Sequence, residues 1–99
     1  MIAVKESLRN LLEDGVLPAL FIAAARHENN EECLLGDFIR DRRNPAGIGS
    51  HARATQVLEI MESENWINID KQPRKIVISI TAQGLALVNV IRQALESEE

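Results

Sequence analysis

Ninety-nine residues make one small domain with a single modest core, and an apolar fraction of 45% with 26% charged residues is ordinary for a folded chain. One cysteine, Cys33, excludes an internal disulfide and suits a reducing cytoplasm. The net charge of −4 argues against nucleic acid until its distribution is seen: residues 40–75 hold seven Lys/Arg against five Asp/Glu, a net of +2, while the rest hold four against ten, a net of −6.

Residues 2–14 read as a helix, with Val4, Leu8, Leu11 and Leu12 on one stripe and Gly15 placed to stop it. The start, MIAVKESLRN, has no basic region leading into an apolar stretch and cleavage site, so no secretory leader is expected. The longest apolar run, residues 16–25, is too short to span a bilayer. In LPALFIAAARH, Pro18 stands near the start, where a helix tolerates it. That segment is apolar almost all round, which predicts a buried central helix, broken by Asn29 and Asn30.

Residues 31–43 are predicted as a third helix. The first turn is acidic and the last basic, as the helix dipole favours, and Leu34, Leu35, Phe38 and Ile39 supply an apolar face that Gly36 weakens. Residues 44–49, NPAGIG, read as a turn. Ser50 is a good N-cap for a fourth helix over 51–64, on which Ala54, Val57, Leu58 and Met61 keep the spacing of a buried stripe. The period then changes from helical to alternating. Residues 66–70 and 75–80 are β-branched runs on either side of Lys71-Gln72-Pro73-Arg74, which predicts a hairpin. Thr81 caps a last helix over 81–98. The expected order is ααααββα, mainly α with a small β-hairpin (an α+β class), in one domain over 1–99.

Two stretches carry a resemblance. One is Leu58-Glu59-Ile60-Met61-Glu62-Ser63-Glu64-Asn65-Trp66-Ile67, and the other is Ile80-Thr81-Ala82-Gln83-Gly84, spaced around the predicted hairpin. From about Val16 onward the chain resembles a winged helix-turn-helix domain of the MarR-like and PadR-like transcriptional regulators. The resemblance implies double-stranded DNA binding by a homodimer, with the fourth helix in the major groove and the hairpin tip at the backbone or minor groove. The turn before Ser50 is longer than the usual connection, and Glu59, Glu62 and Glu64 put negative charge on the recognition helix.

Opposite the buried stripe of that helix lie Ala52, Gln56, Glu59 and Ser63, with Arg53 and Thr55 on the shoulders. Base readers come from the first turns, so Ala52, Arg53, Thr55 and Gln56 are the candidates, and His51 joins them on the DNA-binding surface. Arg53 suits guanine, Gln56 suits adenine, and Ala52 lets the helix sit deep. Arg40, Arg42 and Arg43 can meet phosphates, or simply complement a helix C-terminus. Lys71, Arg74 and Lys75 surround the hairpin tip, where basic residues also guard a sheet edge against aggregation. Ser50 opens a helix N-terminus whose N–H groups suit a phosphate. In the last helix Leu85, Val88, Ile91 and Leu95 form one stripe and Leu87, Val90 and Ala94 a second. Dimerisation is therefore assigned to Leu8, Leu12, Leu87, Val90, Ile91, Ala94 and Leu95.

His27, Cys33 and His51 are isolated and lack metal-ligand spacing, so no metal, cofactor or catalytic site is expected. Cys33 near a helix N-terminus has a redox-sensing reading beside the reading as a buried, inert thiol. Gly47-Ile48-Gly49 lacks the preceding strand of a dinucleotide fingerprint. Three aromatic residues, all at core-like positions, mean that no surface for stacking single strands or RNA is expected. The expected function is sequence-specific DNA binding by a cytoplasmic dimeric transcriptional regulator, with no small-molecule ligand evident. A winged helix used for protein–protein contact, or a plasmid partition or replication accessory, is the alternative.

Overall fold

The computed structural model describes residues 2–97, with side chains from Ser7 onward. Helices α1 (Ile2–Leu12) and α2 (Val16–Glu28) lead to strand β1 (Cys33–Leu34) and a 3-10 turn (Leu35–Phe38). Helix α3 (His51–Ser63), strands β2 (Ile67–Lys71) and β3 (Ile76–Ile80), and helix α4 (Ala82–Ser97) follow. The class is α+β. Val4 of the first apolar stripe, and residue 98 at the expected end of the last helix, lie outside the described side chains.

Gly15 separates the first two helices with φ +93°, a left-handed backbone that a residue with a Cβ adopts only under strain. Pro18 falls in the first turn of α2, where its missing N–H leaves no bond unmade. Helix α2 touches α1, α3, α4 and β3, and its Val16, Ala19, Leu20, Ala23 and Ala24 are buried. Small residues on this face let three helices approach it closely. It ends at Asn30, with φ 56°, where the Asn30 N–H donates to the His27 carbonyl and the Glu31 N–H to that of Arg26. This paired closure satisfies the carbonyls that a helix end leaves open.

The third predicted helix, over 31–43, does not form. Cys33 and Leu34 instead pair with Ile78 and Val77 of β3, which makes a three-stranded antiparallel sheet in the order β1-β3-β2. Short-range helical preference here is weak, and β3 offers a free edge whose ladder bonds replace helical ones. The Asp37 carboxylate accepts the Leu34 N–H at 2.8 Å, Arg26 reaches Asp37 at 3.2 Å, and Phe38 is fully buried. From Ile39 the chain crosses an irregular loop to Ser50. The Asn44 side-chain amide donates to the carbonyls of Gly36, Asp37 and Ile39, and a short parallel bridge joins Ile39 to Gly49. Gly47 is pressed against this backbone: a Cβ would run into the Ile39 carbonyl and the Arg40 nitrogen. Arg40, Arg42 and Arg43 therefore sit on a loop, with no helix end to complement.

After α3 the alternating pattern forms the expected hairpin, in register from Ile67↔Ile80 through Ile69↔Ile78 to Lys71↔Ile76. Thr81 joins its exit to the end of α3. The Thr81 hydroxyl donates to the Asn65 carbonyl at 2.6 Å and accepts the Gly84 N–H at 3.0 Å, while its own N–H donates to the Trp66 carbonyl at 2.9 Å. Gly84 lies so close to the Trp66 carbonyl that no Cβ fits. The two stretches quoted for the resemblance thus meet here, and each supplies what the other lacks: open carbonyls on one side, a hydroxyl and a bare Cα on the other.

Helix α4 docks on the core through Gly84 and Val88, both buried, with Leu85 and Leu87 packed beside them. Leu95, which the periodicity put on the same stripe as Val88, is 60% exposed. The helix carries its last turns past the core that α2 provides.

Candidate nucleic-acid interface

Helix α3 is held to the core by Ala54, Val57, Leu58 and Met61, all buried, as its stripe predicts. The Ser50 hydroxyl accepts the Arg53 N–H at 3.3 Å, which fixes where the helix begins. This leaves His51, Ala52 and Gln56 exposed and Arg53 and Thr55 half-buried. The Thr55 hydroxyl donates back to the His51 carbonyl at 2.9 Å, so its hydrogen is committed while its lone pairs stay open. His51, Thr55 and Lys71 line one groove of about 530 Å³ between α3 and the hairpin, floored by Leu58, Ile69, Ile76 and Ile78. Glu59 and Glu62 line it as well. Glu64 does not: its carboxylate is turned to α1 and accepts from Ser7 at 2.6 Å and Asn10 at 3.3 Å.

The cations divide into held and unheld. Arg53 is held: its guanidinium donates to the Asp14 carbonyl and to the Gln56 side-chain oxygen at 3.4 Å, with Glu13 at 3.9 Å. Lys75 is held by both Glu32 carboxylate oxygens, at 2.9 and 3.0 Å, which ties the hairpin tip to the segment before β1. Arg40 donates through Nε to the Gly47 carbonyl at 2.9 Å, and its N–H reaches the Gly49 carbonyl at 2.7 Å. Arg42, Arg43, Lys71 and Arg74 are exposed and make no ion pair within the described residues. The tip itself is closed by the Gln72 N–H to the Lys75 carbonyl at 2.9 Å.

Glu32, Asp14 and Asn44 escaped the reading of the sequence: Glu32 and Asp14 each hold a candidate cation, and Asn44 ties down the loop that carries Arg40, Arg42 and Arg43. Their partners lie up to 43 residues away, or are backbone carbonyls, and neither leaves a periodic trace.

The assigned dimer residues are not alike. Leu8, Leu12, Val90 and Leu95 are 54%, 75%, 61% and 60% exposed, and Ala94 is exposed with them. Ile91 is half-buried, and Leu87 already packs against the core. A buried Cys33 replaces the redox-sensing reading: it sits on a strand, 4% exposed, and burial pushes its thiol up to about 12. Among the described residues no three His, Cys, Asp or Glu side chains are grouped to hold a metal, and no helix is long and apolar enough to cross a membrane. Compared with models of known families, with curated proteins and with solved structures, the chain gives no match.

Proposed function

We propose that this chain is a winged-helix protein that binds double-stranded DNA as a homodimer and acts as a small cytoplasmic transcriptional regulator. The observation that carries the reading is the placement of unheld positive charge. Among the described side chains, every Lys and Arg without an ion pair, Arg9 apart, lies in residues 40–75. Those residues flank the exposed start of α3 and the hairpin that shares its groove. Of the paired cations, Arg26 and Arg92 lie elsewhere, while Arg53 and Lys75 lie within this range.

In this reading the start of α3 enters the major groove with His51, Ala52 and Gln56 foremost. Arg42, Arg43 and Arg74 meet phosphates, and the N–H groups beyond Ser50 take another. The exposed leucines of α1 and the Val90–Leu95 side of α4 supply the apolar contact between two copies.

Fluorescence anisotropy with random duplexes at several salt concentrations tests this. The expected log–log slope is roughly −0.9 per phosphate neutralised, and Arg74→Ala is expected to weaken all sequences alike and lower the slope by about 1. No binding at low salt would sink the reading. The rival is a protein-docking module, favoured by Glu59 and Glu62 beside an apolar groove; it expects that negative result.

A further inference from the structure

Arg53 and Gln56 are three residues apart on one helical turn, and both belong to the proposed reading edge. The structure treats them unequally. Gln56 is exposed, with one polar end unengaged, whereas the Arg53 guanidinium already has three partners. One is the Asp14 carbonyl, in the turn just past the end of α1, which would otherwise lose a charge-assisted bond. Its stem also lies against Gly49, where a Cβ would come within 3.2 Å of Arg53 Cγ. Helix α1 is pinned at the far end of α3 as well, by Ser7 and Asn10 on Glu64.

A guanidinium only donates, so the side of the Gln56 amide that faces it must be the oxygen. The amide nitrogen then points away from Arg53. A free glutamine side chain would rotate and offer either atom to a base edge; here the oxygen faces Arg53 and the nitrogen is left outward.

We infer that Arg53 is a positioning residue for Gln56, bridging the Asp14 carbonyl and the Gln56 oxygen, and that Gln56 alone of the two reads a base. This rests on the DNA reading for its consequence, while the bridge itself belongs to the free protein. It reassigns the guanine contact expected of Arg53 and makes the α1–α2 corner part of the specificity of α3.

The test is selection of duplexes from a random pool by the full-length protein, Arg53→Ala, Gln56→Ala and the double variant. The expected result is that both single variants flatten the preference at the same base-pair position, by roughly 5- to 150-fold for a lost base contact, and that the double variant does no worse. An Arg53→Ala effect at a different position from that of Gln56→Ala identifies Arg53 as a reader in its own right and overturns the inference. So does an unchanged preference in Arg53→Ala. Absence of any selected sequence for the unaltered protein removes both this role and the DNA reading.

A second measurement needs no DNA. In Arg53→Met, which keeps a long stem but has no donor, the Gln56 side-chain NH2 signals should shift in the nitrogen–proton spectrum while backbone signals of residues 57–61 stay in place. Unmoved Gln56 signals overturn the bridge whatever the selection shows.

Discussion

Helices α2 and α3 end in the same way and lead to different structures. Each closes on an asparagine in the left-handed region, Asn30 at φ 56° and Asn65 at φ 61°, with the same pair of backbone bonds behind it. Each is followed by a strand, and the next helix begins on a hydroxyl cap, Ser50 or Thr81. After α3 the chain makes two five-residue strands whose backbone groups bond one another. After α2 it makes a two-residue strand, one 3-10 turn and a loop whose backbone is bonded by the side chains of Arg40, Asp41 and Asn44. A helix exit sets the direction of the chain; the element that follows depends on what can satisfy its backbone groups.

The largest expected effect falls on the irregular side. Phe38 is its one fully buried side chain, so Phe38→Ala should cost about 3–5 kcal/mol of stability in urea unfolding. A cost below about 1 kcal/mol would mean that the 35–49 segment is not integral to the core. Next come two glycines, one on each side. Gly47→Ala and Gly84→Ala each push a methyl group into backbone, and each should cost roughly 1–3 kcal/mol. If only Gly84→Ala proved costly, the loop would be free to yield where the hairpin junction is not.

Asn44→Ala removes donors from three carbonyls and should cost roughly 1–3 kcal/mol, with faster amide hydrogen exchange confined to residues near the loop. Exchange spreading into β2 and β3 would show that both regions open together. The last effect is alkaline. Folding raises the Cys33 thiol to about 12, so its contribution is fully present below the unfolded thiol's range and is lost as pH rises from about 9 toward 12. Urea midpoints at pH 8 and pH 10.5 should fall further apart for the unaltered chain than for Cys33→Ala.

Much of this fold was legible. The stripe of Ala54, Val57, Leu58 and Met61, the alternation around Gln72-Pro73, and the caps at Ser50 and Thr81 are local patterns, and each element stands where its pattern placed it. The segment 31–43 was misread because its helix signals, acidic start and basic end, serve other ends in three dimensions. Glu31 pairs with Arg26, and Glu32 holds Lys75 across the sheet. At the candidate interface the identity of the cations was readable, but which of them are free was not. The sequence marks both Arg53 and Arg74 as available cations; the first is spent on Asp14 and Gln56, while the second has no ion-pair partner among the described residues.

Helix and strand periods, cap positions and the clustering of positive charge over residues 40–75 are local properties of the chain. All of these depend on neighbours within a few residues. Packing in three dimensions brings Cys33 and Leu34 into the sheet and sets the turn after α1 against Arg53. It also decided that Leu8, Leu12, Val90 and Leu95 stay in solvent while Val88 is buried. Hydrogen bonds and apolar area are satisfied by whatever lies nearest in space, and across 40 residues of chain that neighbour is chosen by packing.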